Sequence, residues 1–101
     1  MQEVTVTERE PQLKIALSGE IDSKNAEEFY EAVMTEYRVS PRDILFDCAN
    51  LQFIDSTTLG TFVKILKQVK TDGYRMQLTA MQARLKKLFV ICALDTVMEI
   101  S

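Results

Sequence analysis

The 101-residue chain contains no histidine and no tryptophan, and only three glycines, two prolines and two cysteines. Lacking histidine, it is without the commonest general base and the commonest metal ligand. A Ser-His-Asp arrangement is therefore impossible. The three glycines rule out a glycine-rich phosphate loop, and the Gly-Lys-Ser/Thr ending of such a loop is also missing. The cysteines, Cys48 and Cys92, form no Cys-x-x-Cys pattern, and each falls in an apolar periodic stretch. Both are expected to be buried free thiols.

Other classes are disfavoured for related reasons. No apolar run approaches the length of a membrane span. The first residues, MQEVTVTERE, lack the basic start and apolar stretch of a secretory signal, so the expected location is the cytoplasm. The net charge is −3, and Lys and Arg are scattered, which argues against a nucleic-acid partner. What remains is an ordinary globular composition, 47% hydrophobic and 27% charged, of a length suited to one domain over 1–101.

The hydrophobic pattern predicts the order ββαβαβαβ. Alternation over Glu3–Glu8 and again at Leu13, Ile15 and Leu17 predicts two strands joined as a hairpin around Glu10-Pro11, with Gly19 closing the second. Ser23 or Asn25 can cap the first helix, and Asn25 with Glu28 has capping-box spacing. The helix that follows carries Ala26, Phe29, Tyr30, Val33 and Tyr37 and stops at Ser40-Pro41. Ile44-Leu45-Phe46 reads as a short strand covered on both faces, followed by a loop through Ala49-Asn50 and Gln52. A second helix begins after Asp55-Ser56, with Leu59, Phe62, Val63, Leu66 and Val69 on one stripe. Gly73 suits its left-handed end. Arg75–Thr79 predicts a fourth strand. Leu85, Leu88, Phe89 and Cys92 predict a third helix, and Val97–Ile100 a last strand. Alternating strands and helices imply an α/β fold with a mostly parallel sheet and the N-terminal hairpin at its edge.

Ligands of open α/β sheets meet the loops at the carboxyl ends of strands. Two such loops carry chemistry. Phe53-Ile54-Asp55-Ser56-Thr57-Thr58-Leu59-Gly60 places an acid, three consecutive hydroxyls and a glycine at a helix start. Ser18-Gly19-Glu20-Ile21-Asp22-Ser23 precedes the first helix. The plain reading of Asp55 and Ser56 is helix capping, worth about 0.5–2 kcal/mol. Gly60 costs about 1 kcal/mol relative to alanine inside a helix. It either lets the helix lie close on the sheet or serves something outside the chain. If the two loops meet, Asp22, Ser23, Asp55, Ser56 and Thr57 form one surface.

Gly19-Glu20-Ile21-Asp22 and Phe53–Gly60, together with the element order, resemble the STAS family, and within it the bacterial anti-sigma factor antagonists. The resemblance extends over essentially the whole chain. It implies a STAS-like fold and a protein-binding module rather than an enzyme, with no cofactor or metal. It also implies a phosphorylation switch. The hydroxyl directly after the motif's aspartate, here Ser56 with Thr57 second, would be phosphorylated by a serine protein kinase that is also the anti-sigma factor. A serine phosphatase would reverse it. The unmodified chain would bind the kinase and so release the sigma factor. Asp22, Ser23, Asp55, Ser56, Thr57, Thr58 and Gly60 would make the partner surface. The family pattern usually has glycine where this chain has Thr58, and a β-branched side chain there is expected to crowd the helix start.

Three other readings compete. A transporter or a stress-sensing assembly could be the docking partner, with no sigma factor involved. Nucleotide binding would use the hydroxyls at the helix N-terminus. Serine catalysis would need a lysine base, and only Lys64 and Lys67, further along the same helix, are at hand.

Overall fold

The computed structural model describes residues 2–101. The chain forms β1 (Gln2–Glu8), β2 (Leu13–Ile21), α1 (Ala26–Val39), β3 (Ile44–Ile54), α2 (Ser56–Thr71), β4 (Met76–Thr79), α3 (Ala83–Ile91) and β5 (Glu99–Ile100), with a 3-10 turn at Leu94–Thr96. This is the expected ββαβαβαβ order. The sheet order is β1-β2-β3-β4-β5, antiparallel between β1 and β2 and parallel elsewhere.

Because the strand order never reverses, successive right-handed crossovers place every helix on the same face of the sheet. Phe29 of α1, Phe62 of α2 and Phe46 of β3 meet in a cluster that Phe89 of α3 joins through Phe62. Each is fully buried. Phe62 lies at the centre, with ring centroids 5.2 Å from Phe29 and 5.6 Å from both Phe46 and Phe89. Met34, Met76, Met81 and Met98 are all buried in the same core.

The sheet is not covered on both faces, contrary to the expectation from Ile44-Leu45-Phe46. Ile44, Phe46 and Cys48 are buried beneath the helices, whereas Leu45 and Asp47 point to the other face and are half-buried. That face has no helix layer, which is why β2 alternates Leu13, Ile15 and Leu17 with Lys14, Ala16 and Ser18.

β3 is also longer than its sequence suggests. The predicted loop through Ala49, Asn50 and Gln52 is strand, as β3 runs unbroken to Ile54. Its register against β2 shifts twice, between Ala16 and Ser18 and between Gly19 and Glu20. Each shift opposes one extra residue of β3 to its partner, as a bulge does. The buried positions accordingly run 44, 46, 48, then 51 and 54. Strict alternation beyond Cys48 would have put Asn50 and Gln52 in the core. The bulges bury Leu51 and Ile54 instead. Gly19, at φ +80°, sits at the second shift, and β2 continues past it to Ile21 rather than closing there.

Two further expectations fail near the C-terminus. Cys48 is buried, but Cys92 is exposed because α3 ends at Ile91. The last strand is only Glu99–Ile100, since the Val97 and Met98 N–H groups turn back to the Leu94 carbonyl after the 3-10 turn. Gly73 ends α2 as expected, at φ +87°. No helix of the described residues is long and apolar enough to cross a membrane.

Candidate functional site

The parallel pairing of β2 and β3 ends at Ile21 opposite Ile54. Both strands therefore deliver their following loops, Asp22–Asn25 and Asp55, to the same end of the sheet. The two motifs meet there, as the α/β reading anticipates.

Asp55 is the junction. Its backbone is extended, and its side chain caps α2, with Oδ1 accepting the Thr58 N–H at 3.0 Å. The same oxygen lies 3.0 Å from the Thr58 hydroxyl. Oδ2 accepts the Ser23 N–H of the facing loop at 2.9 Å. Partial desolvation pushes the Asp55 carboxyl up. The Thr58 and Ser23 N–H groups pull it down and prevail, so its pKa lies below the ordinary carboxylate value.

The facing loop is braced from within. The Asp22 carbonyl accepts the Asn25 and Ala26 N–H groups that open α1. The Asp22 carboxylate accepts the Lys24 N–H. Asn25 turns its side chain back into this loop, accepting the Asp22 N–H and donating to the Glu20 carbonyl. The loop is thus a closed knot whose outer residues, Ser23 and Lys24, are exposed.

Ser56 and Thr57 are the first two residues of α2, and both are exposed. Asp22 and Asp55 are half-buried beside them. Thr58 behaves differently. It is fully buried, and its hydroxyl donates to the Ile21 carbonyl at 2.6 Å. The crowding expected of Thr58 therefore does not arise: its side chain points into the fold, away from the exposed hydroxyls. Gly60 does not let α2 lie close on the sheet. It is exposed, and a Cβ built on it would meet nothing within 4 Å.

Two features escaped the sequence reading. Phe53 is 42% exposed next to this end of the sheet, paired in register with Glu20. Its neighbour Ile54 is buried, so strand alternation already aims Phe53 outward. Lys64, one turn beyond Gly60, places its ammonium 4.2 Å from the centroid of Tyr30 on α1, a cation–π contact. That geometry is visible only once the two helices are packed together.

The surface is thus open and mixed in character, with hydroxyls at its centre and carboxylates and an aromatic around it. Among the described residues no group of His, Cys, Asp or Glu side chains is placed to hold a metal ion.

The chain is a member of a family defined by this fold. The family model of the STAS domain matches residues 3–101, and the chain belongs to that family. Among curated proteins it is similar to the anti-sigma-B factor antagonist of Bacillus subtilis, 31% identical over 103 residues that cover 97% of this chain and 89% of the relative. Among solved structures it is similar to an anti-sigma factor antagonist from Mycobacterium paratuberculosis, with a TM-score of 0.84 at 18% identity over 99% of this chain and 85% of that one. The unphosphorylated form of the anti-sigma factor antagonist SpoIIAA aligns with a TM-score of 0.81 at 20% identity, over 100% of this chain and 88% of that one. SpoIIAA is also known in a phosphorylated form. At these identities the solved structures speak for the fold.

Proposed function

We propose that this chain is an anti-sigma factor antagonist, a binding protein switched by phosphorylation of Ser56. In its unmodified state it docks onto an anti-sigma factor that is also a serine kinase, and so frees a sigma factor in the cytoplasm. A serine phosphatase restores the docking state. The curated relative of Bacillus subtilis supports the antagonist reading by its name and by its near full-length match.

The observation that carries the switch is the state of the three residues at the start of α2. Ser56 and Thr57 are exposed, while the carboxylate of Asp55 is committed to Thr58 and Ser23. An exposed hydroxyl beside a fixed carboxylate can be modified without disturbing the fold. A phosphoryl group there adds about −1.5 to −2 charge at pH 7. The helix N-terminus favours an anion by typically about 0.3–1 kcal/mol, and Asp55 opposes it by a comparable amount. The fold is therefore nearly indifferent to the phosphate. An interface is not: burying an unpaired dianion costs several kcal/mol, and each ~1.4 kcal/mol is tenfold in affinity.

Affinity capture with the unmodified chain, followed by mass spectrometry and phosphosite mapping, tests the reading. A kinase of the anti-sigma type is expected in the capture, and phosphate on Ser56. Ser56→Asp should melt like the wild type yet capture nothing. Ser56→Ala should capture the partner and carry no phosphate. If phosphate persists on Ser56→Ala, Thr57 or another hydroxyl is the acceptor. A transporter subunit or stress-sensing assembly in place of the kinase would overturn the sigma-factor assignment.

A further inference from the structure

Two threonines of α2 are buried, and their hydroxyls do different things. Thr61 donates to the Thr57 carbonyl at 3.1 Å, the usual way a helical threonine satisfies itself within its own helix. Thr58 does not bond back along the helix. Its hydroxyl reaches across the fold to the Ile21 carbonyl at 2.6 Å and lies 3.0 Å from Asp55 Oδ1. Ile21 is the last residue of β2, where the pairing with β3 stops and a buried carbonyl needs a partner. Asp55, whose Oδ1 accepts the Thr58 N–H, holds the Ser23 N–H with its other oxygen.

We propose that Thr58 is a positioning residue of the switch, a buried strut that acts through Asp55 to lock the Asp22–Ser23 loop against the start of α2. This rests on reading Ser56 as the modified residue at a docking surface. The strut makes the two loops a single rigid face before any partner arrives, so little ordering remains to be done on docking. It also keeps the Thr58 and Ser23 N–H groups occupied by Asp55. A phosphoryl group on Ser56 then finds those two donors already taken and stays facing outward. The charged residues of the facing loop are Asp22 and Lys24, and the Asp22 carboxylate is itself bonded to the Lys24 N–H.

The test compares the full-length chain with Thr58→Val, which keeps the shape and removes the hydroxyl, and Thr58→Ser, which keeps the hydroxyl. Carbon-detected NMR follows the Asp55 carboxyl titration, and hydrogen exchange follows the Ser23 N–H. In Thr58→Val the Ile21 carbonyl loses its partner and the start of α2 loosens, so the Asp55 midpoint should rise part of the way toward the ordinary carboxylate value. Exchange at Ser23 should quicken by about tenfold, near the lower end of what a hydrogen bond to a charged group contributes, while amides of β3 such as Phe46 stay protected. Affinity for the captured anti-sigma partner should fall by a similar factor. Thr58→Ser should match the wild type in all three. If Thr58→Val does not fold, Thr58→Ala takes its place in the comparison. An unmoved Asp55 titration with unchanged Ser23 exchange would overturn the strut, as would an equal loss of protection at Ser23 and Phe46. The two readings fail differently. If the functional assignment is wrong, the wild type captures no anti-sigma kinase. If only the strut is wrong, the wild type and Thr58→Val capture it equally.

Discussion

Asp55 accepts the backbone N–H of Ser23 at 2.9 Å, across 32 positions of sequence. This one bond joins the loop that opens α1 to the residue that caps α2. It converts two ordinary helix starts into a common surface with Ser23, Ser56 and Thr57 on its outside.

Removing that carboxylate should be felt in the stability of the whole chain. Asp55→Ala deletes the α2 cap and the link to Ser23 together, and a lost cap alone costs about 0.5–2 kcal/mol. A loss in the upper half of that range is expected in urea denaturation, with the slope unchanged. A variant as stable as the wild type would show that the link contributes nothing.

Acid should weaken the fold through the same group. The folded-state pKa of Asp55 is lowered, so its stabilising effect is complete above the unfolded value of about 3.9 and is lost as pH falls from there through the folded value. Two other carboxylates act with the same sign: Asp72, bonded by the Tyr37 hydroxyl and Gln68, and Glu99, bonded by Arg75 and Gln77. The wild type should lose stability below about pH 4, and Asp55→Asn should lose less over that interval. Chemical denaturation at a series of pH values measures the difference. Parallel acid limbs would remove Asp55 from the account.

Gly60→Ala should separate folding from docking. The added methyl meets nothing within 4 Å, and alanine is favoured over glycine in a helix by about 0.5–1 kcal/mol. A small rise in melting temperature is therefore expected. Partner affinity should fall if the bare backbone at Gly60 is where a partner approaches. A variant that is stabilised and binds unchanged would leave Gly60 without a role in docking.

The two thiols should differ sharply in reactivity. Burial, with a smaller contribution from Asp47, pushes the Cys48 thiol up to about 12, and its side chain is fully enclosed. Cys92 is exposed. An alkylating reagent should label Cys92 promptly under native conditions and Cys48 only after unfolding, as peptide mapping would show. Equal labelling of both would contradict the packing of β3.

Phe62→Ala removes the ring at the centre of the aromatic cluster and should cost about 3–5 kcal/mol. Against a typical domain stability of about 5–15 kcal/mol, the variant should melt at a much lower temperature. Calorimetry would detect a milder effect, which would mean that Phe29, Phe46 and Phe89 close over the gap.

Much of this fold was legible from periodicity. The helices carry their buried residues at helical spacing, and Phe29, Val33, Phe62, Leu66 and Phe89 all lie where the pattern put them. β3 was only half legible. Its two bulges break the period of two after Cys48, and a strand that changes period reads as a loop. Cys92 was misplaced because the apolar spacing of α3 runs one residue past the helix end. Leu45 was misread because a local apolar run cannot report whether a second helix layer exists.

The candidate site divides along the same line. By itself the sequence determined its ingredients: the order of elements, the cap at Asp55, the adjacent hydroxyls of Ser56 and Thr57, and the resemblance that gives them a function. These are local properties, set by spacing along the chain and by the chemistry of helix starts. Only the tertiary structure decided which residues face inward and what joins the loops. Thr58 and Gly60 lie two positions apart on one helix, yet Thr58 is enclosed and bonded to Ile21 while Gly60 faces open space. No local rule could have sorted them, because the partner that turns Thr58 into a strut lies 37 residues away in sequence.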